Sequence, residues 1–205
     1  MVSVQQPASR SVQGAVGPRI RELRKRRGLT VRELGKLLGI SGSAVSQIER
    51  EVLRPSVSRL IEIANALETP LAAIFDDEGE PSPEGGSLDQ LSSGGFTLMR
   101  GVQSRPVTLA GGVRFRRLSP GSVAGLDFFE SIYPPGATAA LDDELFRHEG
   151  YETGTVIEGE LTIEFERERV VLAKGDSIGY PCETPHRIVN HSESPSVAVW
   201  LILHP

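Results

Sequence analysis

A histidine and a glutamate four residues apart, in the stretch LFRHEGYETGTV, are the first residues here whose types could do chemistry together. On a helix His148 and Glu152 would share a face. Gly150, Thr153, Gly154, Thr155 and Val156 disfavour a helix and suit a strand, so the pair is expected to meet through a turn into a strand. Such a pair can satisfy itself by hydrogen bonds, grip a polar ligand, or contribute to a metal site. A second chemistry resides in PRIRELRKRRG, where Arg19, Arg21, Arg24, Lys25, Arg26 and Arg27 concentrate positive charge suited to a polyanion. The single cysteine, Cys182, stands beside Tyr180 and Pro181. It cannot form an intrachain disulfide and is read as structural. That excludes a disulfide scaffold or a multi-cysteine zinc module and fits the cytoplasm.

The chain has 205 residues, 39% hydrophobic and 24% charged, which is ordinary globular usage. No apolar run approaches the ~20 residues of a membrane helix, and MVSVQQPASRSVQGAVGP lacks the pattern of a signal peptide. The net charge of -5 is unevenly spread: residues 1–77 hold 12 Lys/Arg against 8 Asp/Glu, and residues 78–205 hold 10 against 19. A basic head suits nucleic acid. The acidic body would repel it and needs another task.

The elements that must carry these residues divide at DDEGEPSPEGGSLDQLSSGG, a Gly, Pro, Ser and acid-rich stretch over 76–95 that reads as a linker. The expected organisation is a disordered arm over 1–17, a helical head over 18–75, the linker, and an all-strand body over 96–205. Pro18 opens a first helix that stops at Gly28. Thr30 and Glu33 form a capping box for a second, with Val31, Leu34, Leu37 and Leu38 inward. Ser41 caps a third, in which Ala44, Val45 and Ile48 face the core. Ser56 caps a fourth, and Pro70 opens a short fifth helix, LAAIF. The second and third have helix-turn-helix spacing. In the body, apolar runs punctuated by Gly-containing turns predict a small antiparallel barrel, separable from the head. The fold class is therefore α + β in two domains, a five-helix head followed by an all-β body.

The strings LTVRELGKLLGIS, AVSQIERE, RPSVSRLIEIANAL and TPLAAIF resemble the phage-repressor-like, or XRE-type, DNA-binding domain over Arg19 to Phe75. A recognition helix needs short polar side chains at its N-terminus for base edges and flanking cations for phosphates. The resemblance implies base readout by Ser43 and Gln47, close contact at Gly42 and Ala44, and phosphate contact by Arg50, Arg54 and the exposed basic residues of the first helix.

From Val113 to Leu203 the chain resembles the cupin family. The first cupin motif maps onto Phe146, His148, Glu152 and Gly159, and the second onto Gly175, Pro181, His186 and Asn190, with Glu183 where glycine is usual. The resemblance implies a jelly-roll barrel in which His148, Glu152 and His186 converge. Two neutral imidazoles and a carboxylate would suit Fe, Zn, Mn or Ni, with positions left for ligand or water. Phe146 replaces a fourth protein ligand and would make the pocket more apolar. His191 and His204 fall outside both motifs and are read as surface residues.

Head followed by single cupin is the order of many bacterial regulators, and of an iron-dependent hydroxypropylphosphonate epoxidase with a two-His, one-Glu site. The exposed base-reading helix favours the regulator over the oxygenase. The expectation is a homodimer joined through its barrels, with two heads on half-sites of a double-stranded DNA operator about one turn apart, and a small-molecule effector in the cupin. No membrane partner is expected.

Overall fold

The computed structural model describes residues 15–75, 96–101, 104–121, 123–140 and 144–204. The expected linker, and residues 1–14 of the expected arm, lie outside the described residues. Val16 is buried and Gly17 is already helical.

Among the described residues four α-helices build the head: α1 (Gly17–Arg26), α2 (Val31–Leu37), α3 (Gly42–Glu49) and α4 (Val57–Ala66). Their starts are set by side chains that satisfy otherwise orphaned amides. Thr30 Oγ1 accepts from the Glu33 amide while Glu33 accepts from the Thr30 amide, closing the capping box. Ser41 and Ser56 cap α3 and α4 in the same manner. Ile20, Leu23, Leu34, Val45, Ile48, Leu60 and Ile63 fill the centre.

Two expectations for the head are corrected. The fifth helix is a 3-10 turn, Leu71–Phe75. Ala73 donates to the Pro70 carbonyl three residues back, while the Ala73 carbonyl and the Ala72 amide are taken by Arg19 and Asp127. Leu37 is 60% exposed rather than inward. In a helix only two turns long, Leu34 with Val31 and Leu38 already forms the apolar stripe, and Leu37 falls beside it.

Among the described residues the body has nine strands, β1 (Val107–Thr108), β2 (Arg114–Arg117), β3 (Leu126–Tyr133), β4 (Tyr151–Glu158), β5 (Glu160–Phe165), β6 (Arg169–Ala173), β7 (Ser177–Pro181), β8 (His186–Val189) and β9 (Ser196–Leu203). They form two antiparallel sheets, ordered β1-β2-β3-β9-β4-β7 and β6-β5-β8. Strict alternation of burial along β3 and β9 shows which face is inward: Asp127, Phe129, Ser131 and Tyr133 on one, Ser196, Ala198, Trp200 and Ile202 on the other. The Trp200 indole N–H donates to Ser131 Oγ at 2.9 Å, so its polar edge is satisfied inside the core.

Head and body share one continuous core, contrary to the expected separability. The ring of Phe75 packs against Phe115 and Phe129, at centroid distances of 5.9 and 5.2 Å. Backbone bonds cross the junction from Ser58 to Ala139 (3.1 Å) and from Ala110 to Pro55 (2.9 Å). Buried Asp127 accepts from the Ala72 amide of the 3-10 turn at 2.9 Å, and Arg117 donates to the Ala72 carbonyl. These contacts come from the start of α4 and from the last turn of the head.

Candidate functional site

Helix α3 presents two faces. Val45, Ile48 and Glu49 are buried, Ser43 is exposed, and Gly42, Ala44 and Gln47 are partly exposed. Arg50 and Arg54 are exposed just beyond its end. A Cβ on Gly42 would come within 3.2 Å of the Arg32 side chain, so contact with α2 already accounts for a glycine there. Among the basic residues of α1, Arg19 and Arg24 are buried and unavailable to phosphate. Arg19 donates to the Ala73 carbonyl at 2.9 Å. Arg24 grips Glu49 through two bonds of 2.5 and 3.0 Å, a buried pair fixing α1 to the recognition helix. Arg27 is drawn to Glu68. Arg21, Lys25 and Arg26 remain exposed beside the face of α3. Sequence reasoning missed the Arg24–Glu49 pair because both residues sit in runs of charge that normally face water.

The second constellation lies inside the barrel. His148 precedes β4, Glu152 is on its inward face, and His186 opens β8. Gly150 makes the intervening turn at φ +113°, where a Cβ would lie 2.3 Å from the Leu203 carbonyl oxygen. One donor atom from each of the three buried residues lies within 4.8 Å of the other two. Glu152 Oε2 is 3.5 Å from His186 Nε2 and 4.0 Å from His148 Nε2.

The hydrogen bonds fix how these atoms are presented. His148 Nδ1 meets the Glu149 carbonyl at 3.0 Å, and His186 Nδ1 meets the Thr184 carbonyl at 2.8 Å. A carbonyl only accepts, so each Nδ1 carries a proton, and a ring in its neutral form turns an Nε2 lone pair inward. Both Nε2 atoms are buried without a hydrogen-bond partner. Burial holds the His148 pKa below its ordinary value, keeping the ring neutral. Two lone pairs facing a carboxylate repel it unless a cation or a proton stands between them. The three residues therefore fit a divalent metal. Tyr180 lies opposite Glu152 across the β4–β7 pair and donates to Oε2 at 3.1 Å. Desolvation and the Glu152 charge hold its phenol protonated, so it remains a donor. Phe146 packs its ring 4.6 Å from His186 and 5.7 Å from His148. Cys182 is buried with its thiol pushed up to about 12 by desolvation, which makes it inert. Asn190 bonds the Tyr133 and Ser194 carbonyls and is a structural residue.

His204 is not the surface residue its position suggested. Its Nε2 bonds Asp127 Oδ2 at 2.8 Å, and it lines a cavity of about 830 Å³ between head and barrel. Ile61, Ala64, Asn65 and Glu68 line that cavity from the head, and His148, Glu183, Ile202 and His204 from the barrel.

Comparison with known proteins bears on both constellations. The helix-turn-helix family model matches residues 20–74 and the cupin domain model residues 129–202. Over 178 residues the chain is 27% identical to the HTH-type transcriptional regulator PuuR of Escherichia coli (strain K12), covering 87% of this chain and 89% of that one. The chain is an XRE-type regulator with a cupin domain. The head of this regulator is also 40% identical over 63 residues to the immunity repressor protein of Bacillus phage phi105, 31% of this chain and 44% of that one. A crystal structure of an HTH_3 family transcriptional regulator from Vibrio cholerae has the same fold, with a TM-score of 0.63 at 23% identity over 94% of this chain and 96% of that one. These relatives support DNA-binding regulation rather than the oxygenase alternative. Among the described residues, no helix of this XRE–cupin chain is long and apolar enough to cross a membrane.

Proposed function

We propose that this regulator reads a double-stranded operator through Ser43 and Gln47, holds phosphates through Arg50, Arg54 and the exposed cations of α1, and takes a small-molecule effector in its cupin body. The supporting observation is the pairing of an exposed recognition helix with a buried, lone-pair-lined pocket in one continuous core. In this reading His148, Glu152 and His186 hold Fe, Zn, Mn or Ni, and Phe146 makes the surroundings of the two imidazoles apolar. When bound, the metal would supply a Lewis-acidic anchor for a polar group on the effector. The chain works in the cytoplasm as a homodimer, its two heads on half-sites about one DNA turn apart.

The test is selection of duplexes from a random pool by the purified protein, followed by salt titration of the best site. A specific site whose affinity falls steeply with salt is expected. Metal analysis of protein purified without added metal should give close to one ion per chain, lost in Glu152→Ala. An effector drawn from cell extract should shift operator affinity in the intact chain and not in Glu152→Ala. Failure to enrich any sequence would sink the regulator reading.

A further inference from the structure

We propose that the effector of this regulator occupies the cavity between α4 and the mouth of the barrel, and that it acts on the head through Asp127. The proposal rests on the regulator reading and specifies where its small molecule sits and what it moves. The cavity, at about 830 Å³, is within the size range of small-molecule sites, and its walls belong to both domains. One occupant would therefore touch head and barrel together. His148 belongs both to the cavity wall and to the metal-ligating group, so the cavity adjoins the buried triad.

Asp127 links this cavity to the head. Strand register places Asp127, Ile202, Glu152 and Tyr180 in a single row across β3, β9, β4 and β7, and all four are buried. Asp127 Oδ1 holds the Ala72 amide of the head, and Oδ2 bonds His204 at 2.8 Å. Ile202 and His204 both line the cavity. The side chains an occupant would press against are thus the ones that orient the carboxylate holding the head. An occupant that draws His204 away, or displaces Ile202, loosens the grip on Ala72 and changes the angle at which α3 is offered to DNA. The wall also limits what can bind. Ile61, Ala64 and Ile202 are apolar, while among the described lining residues the carboxylates of Glu68, Glu149 and Glu183 outnumber the guanidinium of Arg147 and the imidazole of His204. A small organic molecule with an apolar stem and at least one hydrogen-bond-donating group fits.

Filling the cavity covalently tests this without knowing the effector. The native Cys182 is buried and inert, so Asn65→Cys, at an exposed position of α4 on the cavity wall, provides one reactive thiol. Benzyl methanethiosulfonate is the probe, and Lys174→Cys, exposed and outside the cavity, is the control. Two quantities are read: hydrogen exchange at the Ala72 amide, and affinity for a duplex selected by the unlabelled Asn65→Cys protein. Labelled Asn65→Cys should exchange at Ala72 about tenfold faster and shift DNA affinity about tenfold, both reversed by dithiothreitol. Labelled Lys174→Cys should do neither. Asp127→Asn should raise Ala72 exchange without any label and abolish the effect of labelling. Unchanged exchange at Ala72 on labelling Asn65→Cys, or an equal change in the control, overturns the proposal. If no duplex is selected, the regulator reading fails by itself, and exchange at Ala72 still decides whether the cavity controls the head.

Discussion

His148 and His204 line the same cavity, yet their environments push them in opposite directions. Burial lowers the His148 pKa below its ordinary 6.5. The hydrogen bond His204 donates to Asp127, aided by the charges of Asp127 and Glu149, raises its pKa above 6.5, against a smaller desolvation penalty. A raised folded-state value means that His204 contributes stability fully present below pH 6.5 and lost as pH rises through its folded pKa. For His148 the sign reverses, and stability is lost as pH falls through 6.5 toward its depressed pKa. Thermal melts of metal-free protein between pH 5.5 and 8 should therefore show a maximum near pH 6.5 in the wild type. His204→Gln should melt increasingly well as pH rises, and His148→Gln increasingly poorly. At the other end of the molecule, Gln47→Ala should cost about 1–3 kcal/mol on the selected operator and relax one base pair. Arg50→Ala should weaken all duplexes alike and reduce the salt slope, as competition binding against scrambled sites would show. How much of this was legible varies with distance along the chain. Residue type and motif spacing were enough to nominate His148, Glu152 and His186. His204 gave no such signal, because Asp127, which gives it a role, lies 77 residues away.

At the scale of elements, the helix starts were legible because Thr30, Ser41 and Ser56 cap amides only three residues downstream. The end of the head was not. Whether Leu71–Phe75 coils as α or 3-10 depends on Arg19 taking the Ala73 carbonyl and Asp127 taking the Ala72 amide, both more than 50 residues away. The Arg24–Glu49 pair makes the recognition helix dependent on α1. Removing one partner strands the other charge in the core, so Glu49→Ala should destabilise the head by about 3–5 kcal/mol in urea denaturation. Leu37→Lys, on the exposed flank of α2, should stay within about 0.5 kcal/mol of wild type.

The whole molecule is a basic head welded to an acidic barrel. The weld was invisible in the sequence because the side chain that makes it, Phe75, reads as the last core residue of the head rather than the first of a junction. Its ring completes a cluster with Phe115 and Phe129. Phe75→Ala should cost on the order of 3 kcal/mol and split one calorimetric transition into two. A shared core also means that the covalent connection between the domains is dispensable. A protease cutting within the Gly, Pro and Ser-rich stretch 76–95 should leave two fragments that co-elute as one particle. The same two polypeptides, expressed from separate reading frames, should complement each other and recover operator binding. Such co-elution would make the chain a split protein, whose halves could be exchanged between relatives.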